Sequence, residues 1–405
     1  MIEVNERCCG CTACISICPV KCIRPAYRDG FMFPEAAGES CIGCGLCESR
    51  CPVLHTSEKS RNLREGFYAY SLDPRSRGAG SSGGVFHELA RAFLRAGGVV
   101  YGAAFDEDFR VRHRAVTREE ELPAIQGSKY AESDLADTFP EIDGRLRRGE
   151  RVMFSGTPCQ CAGLKSYLGG ERSGLILVDL FCYGIQSPRV WEIYLQAVHG
   201  DRDGIAGINM RDKTYGWQNY AMRVDYADGS VYCRDKKHDP YLKGYSKGLF
   251  IRPSCYDCTL KQFPRESDVT LGDFWEVNDM YRTVDAKNGV SMVLTNTAAG
   301  RTLLDSVRDR LFCESIDVER LTRIHPDIGR SADRNKNRDA FMTAVDADNF
   351  TRLIEKYAVL PLYKRIPLAC KKTLLRLGVW ELAEPVWNAL RAVKNKAAGG
   401  QRREI

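Results

Sequence analysis

The chain has 405 residues, 44% of them apolar and 28% charged, with 18 cysteines and a formal net charge of +6. Apolar material on this scale supplies cores for two or three domains, which excludes a disulfide-stapled miniprotein and a disordered chain. The charge is uneven, +8 over residues 350–405 and −2 over residues 1–349; a nucleic-acid-binding body would carry its basic residues on the folded core, so no nucleic-acid partner is expected.

In chain order, residues 1–60 are rich in Cys and poor in long periodic stretches, and the polar run 55–64 reads as a linker. Residues 61–349 alternate β-rich runs with amphipathic helical patterns. Strands are expected at 66–71, 98–105, 151–154, 175–181, 221–226 and 290–295, and helices at 84–96, 188–198 and 301–310. This alternation predicts an α+β or mixed α/β domain with a large mixed sheet, and the meander-like stretch 210–233 predicts an antiparallel portion. Residues 350–405 read as a basic, mostly helical tail punctuated by Pro361, Pro367 and Pro385. Apolar runs such as Leu175-Ile176-Leu177-Val178 stop well short of the ~18 residues that span a bilayer. The N-terminus carries no basic-then-apolar leader, so a cytoplasmic protein is expected. In a reducing compartment so many thiols point to metal ligands rather than disulfides.

One internal repeat is visible, and it lies in the cysteines. Cys8-x2-Cys11-x2-Cys14-x3-Cys18-Pro19 recurs as Cys41-x2-Cys44-x2-Cys47-x3-Cys51-Pro52. Three thiolates at x2 spacing can wrap one cubane, and in the bacterial two-cluster pattern the Cys before Pro ligates the other cluster. Cys8, Cys11, Cys14 and Cys51 are therefore expected to hold one 4Fe-4S centre, and Cys41, Cys44, Cys47 and Cys18 a second. A structural zinc would use four of these eight thiols and leave the rest unexplained. Gly10, Gly43 and Gly45 suit a close backbone approach to a cluster, while Cys9 and Cys22 fall outside the repeat and read as free thiols. Across about 50 residues the module resembles a bacterial two-cluster ferredoxin domain.

Further segments each follow a β-rich run: Gly156-Thr157-Pro158-Cys159-Gln160, Phe181-Cys182-Tyr183-Gly184, Cys255-Tyr256-Asp257-Cys258 and Leu271-Gly272-Asp273-Phe274-Trp275. Upstream stand Ser81-Ser82-Gly83-Gly84-Val85-Phe86, Gly127-Ser128-Lys129-Tyr130 and the pair Gly216-Trp217. As an ordered set they resemble the beta-subunit family of coenzyme F420 hydrogenases and dehydrogenases, which also includes ferredoxin-dependent reductases of the chlorophyll pathway. The resemblance implies FAD and at least one 4Fe-4S cluster in this domain, with electrons passing between cluster, flavin and a substrate or deazaflavin. It also implies FAD phosphate binding by Ser81, Ser82, Gly83 and Gly84, with Thr157 among the cofactor-binding residues; the alternative for the Gly/Ser loop is a flexible segment and helix cap.

From the residues themselves, Cys255-x2-Cys258 can give two ligands from one turn, and Cys159 and Cys182 can present sulfur at a sheet edge. These four are the expected third 4Fe-4S set; Cys161, Cys233, Cys313 and Cys370 compete and read as small buried residues. Gly78-Ala79-Gly80-Ser81-Ser82-Gly83 matches G-x-G-x-x-G, with Asp106 about where a ribose-binding acid would stand. The match is weak because Asp73 to Arg77 separate it from its strand. A helix start there still offers N–H groups to a pyrophosphate. Lys129 can supply a cation to the cofactor or an anionic substrate, or be a solvated charge. Asp273, between Gly272 and two aromatics, can be a desolvated carboxylate suited to acid–base work, or can cap a turn. Trp217, Trp275 and Tyr256 can wall a ring or belong to the core.

The expectation is an iron–sulfur flavoprotein oxidoreductase that takes electrons from a reduced ferredoxin or flavodoxin and delivers them through clusters and FAD to an organic acceptor or coenzyme F420. Two rivals remain: an electron-relay subunit of a larger F420-type complex, and a non-catalytic iron–sulfur sensor. In the tail, Trp380, Ala383, Trp387, Leu390 and Val393 recur at steps of three or four beside Arg391, Lys394 and Lys396. Such a helix can lie on an anionic membrane surface or an acidic partner, or pack back on its own domain. Homo-oligomerisation is left open.

Overall fold

Val152, Met153 and Phe154 have no exposed surface, as expected of a strand covered by helices on both faces. In chain order the strands are β1 (Ile23–Arg28), β2 (Phe31–Ala36), β3 (Glu65–Ser71), β4 (Val99–Phe105), β5 (Val111–Val116), β6 (Val152–Ser155), β7 (Leu175–Leu180), β8 (Ile205–Asp212), β9 (Ala221–Tyr226), β10 (Val231–Asp235), β11 (Val269–Asp273), β12 (Ser291–Thr295) and β13 (Leu311–Ile316). This computed structural model describes residues 3–55, 65–200, 202–325 and 328–358, with positions 373, 374, 377 and 379 beyond them. The polar run 56–64, Cys370 and the apolar stripe from Trp380 to Val393 lie outside the described residues.

Eight strands form one mixed sheet in the order β13-β3-β12-β11-β7-β6-β4-β5. The neighbours β11/β7, β7/β6 and β6/β4 run parallel, and the flanking pairs are antiparallel. Because two antiparallel steps separate β3 from β11, β3 runs the same way as the parallel group. Alternate residues enter opposite cores, as a period of two requires. Val100, Met153 and Val178 face the helices Val85–Arg95 and Ala298–Asp305, while Val99, Tyr101, Val152, Phe154 and Leu177 face Thr138–Arg147 and Pro158–Leu168. The mixed α/β expectation is thus met. The antiparallel portion is also present, as the three-stranded sheet β10-β9-β8.

Cys11 and Ala13 of the N-terminal module share the second of these cores, and the module itself is a β1/β2 hairpin with the single-turn helices Ala13–Ile17 and Leu46–Ser49. Gly163 permits the close approach: a Cβ there would stand 2.6 Å from the Cys11 Cβ. Ser187 Oγ donates to the Gly30 carbonyl at 2.8 Å, and Ser166 Oγ to the Arg50 carbonyl at 3.0 Å. Contacts group Met1–Phe274 with Lys287–Ala358 as one unit, and Trp275–Ala286 with Val359–Ile405 as another. In the first, Phe350–Tyr357 buries Phe350, Leu353 and Ile354. In the second, Asn278 Nδ2 donates to the Val284 carbonyl at 2.8 Å, closing the short segment around the helix Val277–Met280. No described helix is long and apolar enough to cross a membrane.

Gly300 shows how tightly the outer helix sits on the sheet, since an added Cβ would stand 2.1 Å from the Asp268 carbonyl oxygen, whereas at Gly204 it meets nothing within 4 Å. Backbone cannot yield as a flexible side chain can. Gly300→Ala is expected to cost about 1–3 kcal/mol and Gly204→Ala close to nothing; equal urea midpoints for the two variants would refute the packing argument.

Candidate metal centres and the carboxyl edge of the sheet

β4, β6, β7 and β11, and with them β3, end on one edge of the sheet, the side on which open α/β sheets bind ligands. β6 leads into Gly156-Thr157-Pro158-Cys159, β7 into Phe181-Cys182, and β11 ends at Asp273. β6 and β7 are adjacent, Ser155 opposite Val178, so Cys159 and Cys182 leave neighbouring strands. Thr157 starts the helix Pro158–Leu168 with a capping box, and its Oγ1 lies 3.1 Å from the Cys159 Sγ.

Cys255 sits in the single turn Pro253–Asp257, with Cys258 at its end. Burial pushes the Cys182 thiol up to about 12, and the charges of Cys159 and Cys258 act in the same direction against Lys261. Burial also raises Cys255, where Cys182, Cys159 and Cys258 all contribute. The four thiols therefore share one neighbourhood. The Ile185 N–H donates to the Cys255 Sγ at 3.3 Å, the kind of contact that steadies a ligating sulfur. Cys161, two residues from Cys159 on the same helix, is fully buried with its thiol directed at the Val178 carbonyl. Cys233 and Cys313 lie on the terminal strands β10 and β13.

In the N-terminal module, burial raises Cys14 to about 12, with Cys8 and Cys51 adding to the rise. Burial also raises Cys8, opposed chiefly by Arg252 and reinforced by Cys51. Cys51 thus lies with Cys8 and Cys14, across the repeat. Cys18, Cys41, Cys44 and Cys47 line a separate cleft of about 380 Å³, counted with its open mouth. Cys22 lines it too, 3.5 Å from the Cys18 Sγ, a neighbour that the repeat spacing did not indicate. Cys9 was another such residue: the thiols of Cys11 and Cys159 both act on its own, which is raised well above the usual thiol range, so it stands where the first set meets the third. Among the described residues no three His, Cys, Asp or Glu side chains close on a point as a single ion requires. A cubane spaces its thiolates more widely, so the donor chemistry and grouping of these thiols fit clusters better than zinc.

The Gly/Ser loop lies on the same edge, beyond β3. The helix Pro74–Ala79 intervenes between strand and loop, which explains the poor fit to a dinucleotide turn. Asp106 instead closes the β4/β5 hairpin, accepting from the Asp108 and Arg110 amides at 3.0 and 2.9 Å. Gly84, at φ +81°, caps the helix Val85–Arg95. The Gly83 N–H donates to Ser291 Oγ at 2.9 Å, and Ser81 Oγ accepts from the Ser128 amide at 2.6 Å. Ser82 Oγ donates to the Val290 carbonyl at 2.9 Å.

Two cations unrecognised in the sequence hold this loop. Lys213 donates to the carbonyls of Arg77, Ser82 and Asn288 at 2.6 to 2.7 Å. Arg211 donates to the Ser81 carbonyl at 2.7 Å and forks onto Asp273 at 2.9 and 3.0 Å. Asp273 also accepts from Trp217 Nε1 at 2.9 Å, so both its oxygens are held and it orients Arg211. Burial lowers Lys213 to about 7, helped by the Arg211 charge, and lowers Lys129 to about 7 as well. Lys129 donates to the Ala124 and Gln126 carbonyls.

A row of rings leads from the third thiol set to the loop: Tyr183 meets Tyr245 edge-on at 5.6 Å, and Tyr245 stacks on Tyr130 at 4.1 Å. The Tyr130 hydroxyl accepts from Arg211 at 2.9 Å. Tyr256 is half-buried beside Cys255, and Trp275 belongs to the second unit.

Fold and site define a cysteine-rich mixed α/β protein with thiol sets grouped in a small module and at the carboxyl edge of its sheet. The chain belongs to the coenzyme F420 hydrogenase/dehydrogenase beta-subunit family, whose N-terminal domain matches residues 66–139 and whose C-terminal domain matches residues 149–320. No curated protein matches the chain. Among solved structures, a chain of the xenon-derivatized F420-reducing [NiFe] hydrogenase complex from Methanosarcina barkeri is 14% identical, with 74% of this chain and 91% of that chain covered at a TM-score of 0.43.

Cys258→Ala is expected to lower the iron content of the anaerobically reconstituted full chain by about four atoms; unchanged iron would remove this residue from the ligand set. A second expectation concerns His113, stacked on Phe154 at 5.0 Å and bonded to Ser133 Oγ and the Ser155 carbonyl at 2.7 and 3.0 Å. The carbonyl only accepts, so Nε2 carries the proton and Nδ1 accepts from Ser133. Burial lowers this imidazole to about 4, whereas unfolded it protonates near its ordinary value of ~6.5. The unfolded chain therefore binds more protons between these values, and stability fully present above pH ~6.5 is lost as pH falls towards ~4, by up to about 3 kcal/mol. His113→Gln is expected to flatten the slope of unfolding free energy between pH 7 and 4.5; an unaltered slope would contradict the assignment.

Proposed function

We propose that this chain is an iron–sulfur electron-relay subunit of an F420-type hydrogenase or dehydrogenase assembly. In this reading Cys8, Cys11, Cys14 and Cys51 hold one 4Fe-4S cluster, Cys18, Cys41, Cys44 and Cys47 a second, and Cys159, Cys182, Cys255 and Cys258 a third. Ser81, Ser82, Gly83, Gly84 and Thr157 would hold FAD. Bound clusters would supply one-electron steps, and a bound flavin would pair electrons for a two-electron acceptor such as coenzyme F420. Family membership supports the relay role over a self-contained ferredoxin-driven reductase.

The observation that carries the reading is the packing of Cys11 on Gly163, where an added Cβ would stand 2.6 Å from the Cys11 Cβ, on the same helix that bears Cys159; it puts the first thiol set beside the third. The protein's own part is to exclude water and hold donors. Lys213 and Arg211 fix the loop carbonyls, leaving its helix N-terminus to face an anionic cofactor group. Asp273 acts through Arg211, and Lys129 lends charge beside Ser128.

The self-contained reductase is retained as a second reading because the ferredoxin-like module packs within the same unit as the sheet, which gives a reduced ferredoxin or flavodoxin an entry point. Anaerobic purification of the full chain, followed by iron and flavin counting, tests the proposal. The relay reading expects about 12 iron atoms, bound FAD, slow F420 reduction by the chain alone and faster reduction on adding a catalytic partner subunit. Rapid F420-independent reduction of an organic acceptor from reduced ferredoxin would favour the second reading. Absence of flavin after reconstitution would overturn both in favour of a sensor.

A further inference from the structure

Arg252 has no exposed surface and stands between the two modules. Its Nε donates to the Cys8 carbonyl at 2.9 Å and its Nη2 to the Met32 carbonyl at 2.7 Å. Its Nη1 meets Glu132 Oε1 at 2.5 Å, and the other Glu132 oxygen accepts from the Met32 amide at 3.1 Å. At the same time the Arg252 backbone starts the turn that carries Cys255: its carbonyl accepts from the Cys255 N–H at 3.0 Å, and its own N–H donates to the Ile185 carbonyl at 2.8 Å. Ile185 in turn donates to the Cys255 sulfur. Gly10 lies against the guanidinium, where a Cβ would come within 2.8 Å of Nη1. One buried residue thus touches the first ligand of the N-terminal repeat through its side chain and a ligand of the third set through its main chain.

A buried ion pair contributes little net stability compared with apolar residues of the same volume. Its field, however, is poorly screened where water is excluded. A cluster gains one negative charge on reduction, so a nearby buried cation favours its reduced state and a nearby carboxylate opposes it.

We propose that Arg252 and Glu132 are an electrostatic positioning pair that sets the reduction potentials of the first and third clusters together, Arg252 raising both and Glu132 moderating the effect. The inference rests on the ligand sets proposed above.

The test is an EPR-monitored redox titration of the anaerobically reconstituted full chain. Glu132→Gln fills the same space and removes only the negative charge, so two midpoint potentials are expected to rise. Arg252→Gln is expected to lower the same two, each by about tenfold in the reduction equilibrium, or ~59 mV for one electron. Arg252→Lys keeps the charge and loses the fork, and is expected to stay near the wild-type potentials even where it unfolds more easily. The cluster of Cys18, Cys41, Cys44 and Cys47 serves as the internal reference and is expected not to move.

Potentials that shift in the same direction in Glu132→Gln and Arg252→Gln, or that shift equally in the reference cluster, would overturn the proposal. Should Arg252→Gln fail to fold, Glu132→Gln decides alone, a rise supporting the pair and no rise refuting it. Wild-type iron well below about 12 atoms would instead refute the three-cluster reading on which the inference stands. Full iron with flat potentials refutes the inference alone.

Discussion

The shared direction of β3, β4, β6, β7 and β11 is the constraint from which the site follows. Parallel strands put every carboxyl end on one edge, and helices covering both faces leave that edge as the place where loops can converge. Cys159 and Cys182 come from adjacent strand ends, and the Ser81–Gly84 loop is tied to β12 through Ser291. No single loop needs to be long. Sulfur, serine and carboxylate are gathered by register, so one-residue slips in β6 or β7 would turn the flanking apolar residues to the wrong core.

The small module needs the large one. A 50-residue piece with two short strands and two single-turn helices has little core of its own, and Cys11 and Ala13 complete theirs against the helix Pro158–Leu168. Gly163 makes that contact close, and Arg252, Glu132, Ser187 and Arg338 reach across with buried or half-buried bonds. Fastening of this kind fixes the spacing between the thiol sets. In an electron relay, spacing governs rate, so the packing that stabilises the module also serves the proposed function.

Much of this was legible in the sequence because it rests on local pattern. The eight-cysteine repeat announces itself, and apolar runs such as 151–154 and 290–295 mark central strands. The helix Pro158–Leu168 was missed because it is buried nearly all round from Pro158 to Leu164, which erases the periodicity that reveals a surface helix. β5 was missed because Arg112, His113 and Arg114 dominate it, a composition suited to an edge strand. Arg252, Glu132, Arg211 and Lys213 were invisible for a different reason. A single charge in sequence gives no sign that it will be buried, and its partner stands 120 residues away in the case of Arg252 and Glu132. Cysteine spacing supplied the thiol sets and the family resemblance the serine loop, but neither pointed to these charges.

Of the twelve thiols in the three sets only Cys44 is exposed, and this gives the proposed path an outer end. Around the second thiol set Cys44 is exposed and Ile42 keeps 64% of its surface. In the first set Cys11 and Cys14 are buried, and in the third Cys159 is buried behind them. A one-electron partner can therefore come closest at the second set. Where water is excluded a fixed charge acts more strongly, and two of the buried cations, Arg252 and Arg211, lie at successive junctions: first set to third, and third set, through the Tyr183–Tyr245–Tyr130 row, to the Gly/Ser loop. Each is neutralised by one carboxylate, Glu132 or Asp273. A buried Arg–carboxylate pair at each of these two steps, single-bonded at Arg252–Glu132 and forked at Arg211–Asp273, can accommodate added charge without water.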